Sequence, residues 1–359
     1  MRLSIPQPLP ELVESKFTAA EASKTLIFSA TDVCVIRTTA GIPFQLRYCP
    51  ALAKKPKSQN DDPQSTPKKK FDPFETPPED LFIADLPGPD PANASHILVL
   101  NKYPVIRDHV ILATKQNKPQ THLLESDDLA ATYAVLREWD EQKTSATGAG
   151  SSAGGRMFAF FNSGEHSGAS QPHRHIQFLP VERMSEGGQT AGWDLLVDQI
   201  VAAGQDSKDS KDFLNNPALP FAHFASRLPP NPSPAELHAV YASLYTRALE
   251  FVKKHIASAP QSASFTLHST ENGDAAISYN MAMTRDALVI APRRSGGDVL
   301  KGSDGEELEM VELNGTMLGG TLMVKAQEQW DLLRKDERVL TRLLESVGLP
   351  WGKGEGEKQ

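Results

Sequence analysis

The chain has 359 residues, 39% of them apolar, enough for one large domain or two of ordinary size. Its net charge of −8 argues against a nucleic-acid binder, whose phosphate contacts need a basic surface. The two cysteines, Cys34 and Cys49, exclude a disulfide framework and a C-x-x-C zinc pair, and read as buried thiols of a reducing compartment. No apolar run approaches the roughly 18 residues of a membrane span, and the N-terminus lacks a signal-peptide core. The expectation is a soluble protein of the cytoplasm or nucleus that contacts neither nucleic acid nor membrane.

In chain order, residues 11–24 are expected to form a short helix. Strand-like runs follow at 25–30, 33–39 and 42–49, the last two joined as a hairpin through Gly41 and Pro43. From Lys54 to Asp80 the chain is rich in proline, lysine and aspartate without apolar periodicity, the signature of a mobile surface loop. Strands are expected at 97–100 and 110–113. Residues 123–142 carry apolar positions at helical spacing, with acids early, where the helix dipole favours them. A Gly/Ser/Ala tract at 144–156 reads as a flexible link.

A strand at 157–162 leads into NSGEHSGASQPHRHIQFLP (162–180). A helix at 190–203 and a proline-rich stretch around 217–234 precede a long amphipathic helix at 235–257. Strands at 265–270, 276–284 and 286–293 and a final helix at 326–347 complete the chain. Strands and helices alternate without a βαβ rhythm, which favours an α+β fold around antiparallel sheet. The expected division is an N-terminal region, 1–205, and a C-terminal region, 217–348.

The stretch at 162–180 carries the chemistry. In an extended strand alternate side chains share one face, so His173, His175 and Gln177 point one way while Arg174, Ile176 and Phe178 point the other. The glycines and serines before them permit tight turns whose backbone N–H groups converge, and such concavities bind phosphate. A metal site would need further ligands that the cysteines do not supply. Neutral imidazole is a good nucleophile towards phosphorus when its other ring nitrogen is held by an acceptor, and that reading is favoured. A glutamine amide on the same face can donate to a non-bridging oxygen. His166, inside the turn, has no role and is expected to be solvated.

The motif NSGxxSGASQPHRHIQ resembles the signature of the fungal diadenosine tetraphosphate phosphorylases, or ATP adenylyltransferases. These form part of the transferase branch of the histidine-triad superfamily, shared with galactose-1-phosphate uridylyltransferase. FQLRYCPALAKKP, NKYPVIRDHVILATK, SYNMAMTRDALVIAPR and LMVK also resemble family stretches in order. The resemblance implies a histidine-triad-like antiparallel sheet with flanking helices. It implies phosphorolysis of diadenosine tetraphosphate to ATP and ADP through an adenylyl-histidine, with the reverse transfer open. His175 would be the nucleophile, His173 its orienting neighbour and Gln177 a donor to the reacting phosphate. Nucleotide or phosphate contacts would come from Lys54 or Lys55, Asn101, Lys102, Asn162, Gly168, Ala169, Ser170, Gln171, Asn314, Gly315, Thr316, Thr321 and Lys325. The segment NGTMLGGTLMVK lacks the aromatic residue of the family pattern. Magnesium is expected only with the substrate, no tightly bound metal is expected, and the chain would act as a monomer or homodimer. A hexose-1-phosphate uridylyltransferase and a non-catalytic nucleotide sensor are the alternatives, with a metallohydrolase the weakest.

Overall fold

The computed structural model describes residues 3–51, 71–88, 90–141, 155–204, 213–258, 265–302 and 305–351. Its strands are β1 Asp32–Arg37, β2 Pro43–Tyr48, β3 Phe82–Leu86, β4 His96–Leu100, β5 Val110–Thr114, β6 Met157–Ser163 and β7 His175–Pro180. They continue with β8 Gly188–Gln189, β9 Phe224–Arg227, β10 Tyr279–Met283, β11 Ala287–Pro292, β12 Gly297–Lys301, β13 Glu307–Glu312 and β14 Thr321–Val324. The α-helices are α1 Leu9–Ala22, α2 Ser126–Glu141, α3 Val181–Met184, α4 Leu196–Ala203, α5 Pro234–Ser258, α6 Gln327–Lys335 and α7 Glu337–Val347.

Eight strands form one antiparallel sheet in the order β3-β4-β5-β7-β6-β10-β11-β9. The motif strand β7 lies inside it, between β5 and β6, and the sheet runs without a break from N-terminal to C-terminal strands. A second sheet, β14-β2-β1-β8, mixes the antiparallel β1–β2 hairpin with parallel neighbours, and β12 and β13 pair alone.

Period-two patterning puts a core on each face of the large sheet. Ala159, Phe161, Ile176 and Phe178 face the cluster built with α1, α2 and α5. Phe158, Phe160 and Leu179 face the other, built with the second sheet, α4, α6 and α7. His175 and Gln177 alternate with Ile176 and Phe178, so they share the side of Phe158 and Phe160. Both faces of β6 and β10 are covered, so apolar residues fill both alternations, interrupted only at Asn162, Ser163 and Asn280.

Several expectations change. Residues 25–30 are not a strand. Only the Ile27 and Ser29 amides pair with the neighbouring 102–104 segment, through the carbonyls of Lys102 and Pro104. Residues 265–270 are likewise irregular. The expected final helix is two, because Asp336 takes an extended φ of −140° and caps α7 by accepting the Arg338 amide. The loop expected at 54–80 divides: 54–70 lie outside the described residues, whereas 71–80 run largely exposed along the surface but bury Phe74 and half-bury Asp72. The link at 144–156 falls outside the described residues up to 154. Among the described residues, no helix is long and apolar enough to cross a membrane.

Candidate active site

The motif begins where β6 and β7 part. Their ladder reaches Phe160↔Gln177, and two residue pairs further on, at Asn162 and His175, a side chain replaces it. Gln120 accepts the His175 N–H at 2.7 Å and donates to the Asn162 and His175 carbonyls at 2.8 and 3.2 Å. This wedge holds the backbone of His175 while the turn at 164–171 bulges away.

His175 is 3% exposed, and its Nδ1–H donates to the His173 carbonyl at 2.8 Å. Nε2 is therefore the nitrogen with the lone pair, and it has no partner among the described residues. Burial pushes the imidazole down to about 4; the neighbouring His173 adds to this and the hydrogen bond to its carbonyl opposes it. The ring is thus neutral and nucleophilic at pH 7.

His173 has both nitrogens engaged. Nε2 meets the Thr114 carbonyl at 2.6 Å, and Nδ1 meets Asp72 Oδ2 at 2.7 Å. Burial works against the Asp72 charge, but the Phe74 amide, His173 and Asn117 outweigh it and hold the carboxyl below its usual range. Phe74 lies against both histidines, with ring centroids 5.4 Å from His173 and 5.3 Å from His175. On the opposite face Arg174 reaches Glu125 at 2.9 Å and Asp128 at 2.8 Å, while Asp128 also binds His96. That cluster, buried at Arg174, Asp128 and His96 and open to solvent at Glu125, fixes the back of the strand.

The turn supplies donors. Gly168 has φ +77°, and a Cβ there would sit 2.7 Å from the Leu313 carbonyl. Among the described residues, none of the N–H groups of Gly168, Ala169, Ser170 and Gln171 has a protein acceptor. The segment at 314–316 closes against this turn: the Gly315 N–H donates to Asn162 Oδ1 at 2.8 Å, and Asn314 Oδ1 accepts the Thr316 N–H at 3.0 Å. Asn280, on β10, donates to Asn162 Oδ1 and to the Ser167 carbonyl, both at 2.9 Å. Its own oxygen accepts from the fully buried Arg293.

Asn162, Gly168–Gln171, His173, His175, Gln177 and 314–316 thus come together through shared strands, Gln120 and Asn280. Asn101 lies behind Gln177, joined to it through His109. Lys102 is exposed, its ammonium 5.6 Å from the Tyr103 ring centroid. Thr321 is fully buried and donates to Gln45, and its carbonyl accepts from Thr316, so it braces the 314–316 segment. Lys325 pairs with Glu312 at 2.6 Å. Lys54 and Lys55 lie outside the described residues. His166 is one-third exposed beside Glu165. Among the described residues, no group of three or more His, Cys, Asp or Glu side chains could hold a metal.

Asp72, Phe74, His109, Gln120, Asn280 and Arg293 were not among the residues expected from the sequence. The first two sit in a tract whose composition reads as loop. Asn280 did leave a signal, a polar residue flanked by Tyr279 and Met281 in an otherwise apolar strand.

Residues 2–196 match the Ap4A phosphorylase N-terminal domain, and residues 217–350 match the ATP adenylyltransferase C-terminal domain. A diadenosine tetraphosphate phosphorylase 2 of Saccharomyces cerevisiae is 26% identical over 356 residues, 96% of each chain. The crystal structure of yeast Ap4A phosphorylase Apa2 superposes with a TM-score of 0.72 at 24% identity, over 96% of this chain and 99% of that one. The same enzyme in complex with Ap4A gives 0.71 at 24% identity, with the same coverage. The fold is accordingly the α+β histidine-triad-like type.

Proposed function

The chain belongs to the Ap4A phosphorylase family, and on that premise we propose that it cleaves diadenosine tetraphosphate by phosphorolysis, releasing ATP and ADP. The observation that carries this reading is His175: a buried, neutral imidazole with Nδ1 tied to a carbonyl and Nε2 without a partner among the described residues, on the strand that follows a turn whose four amides at 168–171 likewise have no acceptor among them.

In the first half-reaction the His175 Nε2 lone pair attacks one α-phosphorus. The N–P bond forms as the P–O bond to the triphosphate breaks, and ATP leaves with the electron pair. Positive charge on the ring is shared with the His173 carbonyl through Nδ1–H. In the second half a phosphate oxygen attacks the same phosphorus, the N–P bond breaks, and its pair returns to Nε2 as ADP departs. Nothing in either half needs a strong base; positioning and charge stabilisation suffice.

Gln177 donates to a non-bridging oxygen of the reacting phosphorus, and the Gly168–Gln171 amides cradle the polyphosphate. Asn162 and the 314–316 segment hold the nucleotide. Lys102, with Lys54 or Lys55, offers cationic charge to phosphate. A divalent cation such as magnesium arrives with the polyphosphate and is not held by a protein cage. Product analysis with and without phosphate tests the reading: ATP plus ADP should form only when phosphate is present. Turnover of UDP-glucose instead of the dinucleotide would overturn it.

A further inference from the structure

An amide serves a phosphate only if its NH2, and not its oxygen, faces the substrate. Two chains of hydrogen bonds, one part-buried and one buried, set that polarity. The first starts at a group that can only donate, the Tyr103 backbone N–H, which meets Asn101 Oδ1 at 3.0 Å. Asn101 must then turn Nδ2 towards His109, whose Nδ1 lies 3.0 Å away and accepts, so it carries no proton. The ring proton is consequently on Nε2, 3.1 Å from Gln177 Oε1. Gln177 is left with its NH2 unengaged among the described residues.

The second chain starts at Arg293, whose guanidinium likewise cannot accept. Asn280 gives it Oδ1 and turns Nδ2 to the Asn162 oxygen, which also takes the Gly315 N–H. Asn162 is left with its NH2. The two relays are independent, lie on different strands, and converge on the same outcome. Had either ended on an acceptor, the site would show phosphate an oxygen and repel it.

We propose that Asn101 and His109 on one side, and Arg293 and Asn280 on the other, are positioning residues that lock Gln177 and Asn162 as donors towards an anionic polyphosphate. The proposal rests on the phosphorolysis reading and deepens it: selection for phosphate is set by residues that do not touch the substrate.

The test is a double-mutant cycle on turnover of diadenosine tetraphosphate at saturating phosphate. His109→Leu should lower kcat by about 10²-fold, as losing one oxyanion donor does, with KM nearly unchanged. His109→Leu combined with Gln177→Ala should be no slower than Gln177→Ala alone, within about twofold, because both remove the same donor. His109→Gln, which returns an N–H near Nε2, should recover about tenfold of the loss. Asn280→Asp keeps the volume and gives Arg293 an ion partner, but draws in the Asn162 NH2. It should raise KM for the dinucleotide at least about tenfold, and it tests the second relay even where His109→Leu fails to fold. Multiplying effects of His109→Leu and Gln177→Ala, no recovery in His109→Gln, or an unchanged KM in Asn280→Asp would overturn the relay. Absence of ATP and ADP from the wild-type enzyme would instead overturn the proposed function, so the two failures are distinguishable.

Discussion

Acid is the sharpest probe of His175. At the ordinary histidine value of 6.5, only about a quarter of such rings are neutral at pH 6. With the value pushed down to about 4, about 99% remain neutral. The lone pair that attacks phosphorus should therefore survive well below the usual histidine range. Diadenosine tetraphosphate has no terminal phosphate, so the substrate does not titrate between pH 5 and 8 in a way that would mask the enzyme. Inorganic phosphate does, and the assay must omit it. Rapid-quench measurement of adenylyl-enzyme formation in a single turnover should give a rate constant that changes less than about twofold between pH 8 and 5.5. Phe74→Ala, which admits water beside the ring, should move the acid limb up by about one to two units. A wild-type limb centred near 6.5, or no movement in Phe74→Ala, would refute the link between burial and nucleophile.

Three further effects follow from the same geometry. His175 and His223 are both buried and pushed down to about 4, so between about pH 6.5 and 4 the unfolded chain binds more protons. Stability should fall as pH drops through that window, by up to about 3 kcal/mol per ring, read by urea unfolding; a flat profile would contradict it. Gln120→Leu strands the His175 N–H and two carbonyls, which should cost roughly 3–6 kcal/mol and slow adenylylation, whereas a cost under about 1 kcal/mol would deny the wedge its role. Gly315→Ala puts a Cβ 2.7 Å from Asn162 Oδ1 and 2.9 Å from Phe160 Cδ2. It should raise KM for the dinucleotide severalfold, an effect that initial-rate kinetics would reveal or exclude.

The reacting strand was legible in the sequence because its period-two alternation is local: His175 and Gln177 take one face, Ile176 and Phe178 the other. The β1–β2 hairpin and α5 were legible from other local signals, the turn residues Gly41 and Pro43 and apolar residues at helical spacing. The parts that were not legible depend on distant pairing. Residues 25–30 have strand-like composition, but their neighbour at 102–104 offers only sparse backbone partners. Asp72 and Phe74 belong to a proline- and lysine-rich tract, and only the fold brings them onto His173 and His175. Gln120 and His109 act by occupying a gap in a ladder and by handing on a tautomer, neither of which leaves a sequence period. The helix break at Asp336 was written locally, as a capping aspartate two residues before Arg338.

The central claim is that His175 carries the adenylyl group. Incubating the enzyme with diadenosine tetraphosphate in the absence of phosphate, then mapping the modified peptide by mass spectrometry, tests it directly. The account predicts one acid-labile adenylate on His175, absent in His175→Ala, that phosphate discharges as ADP. An adenylate on His173, or turnover to ATP and ADP by His175→Ala, would contradict it.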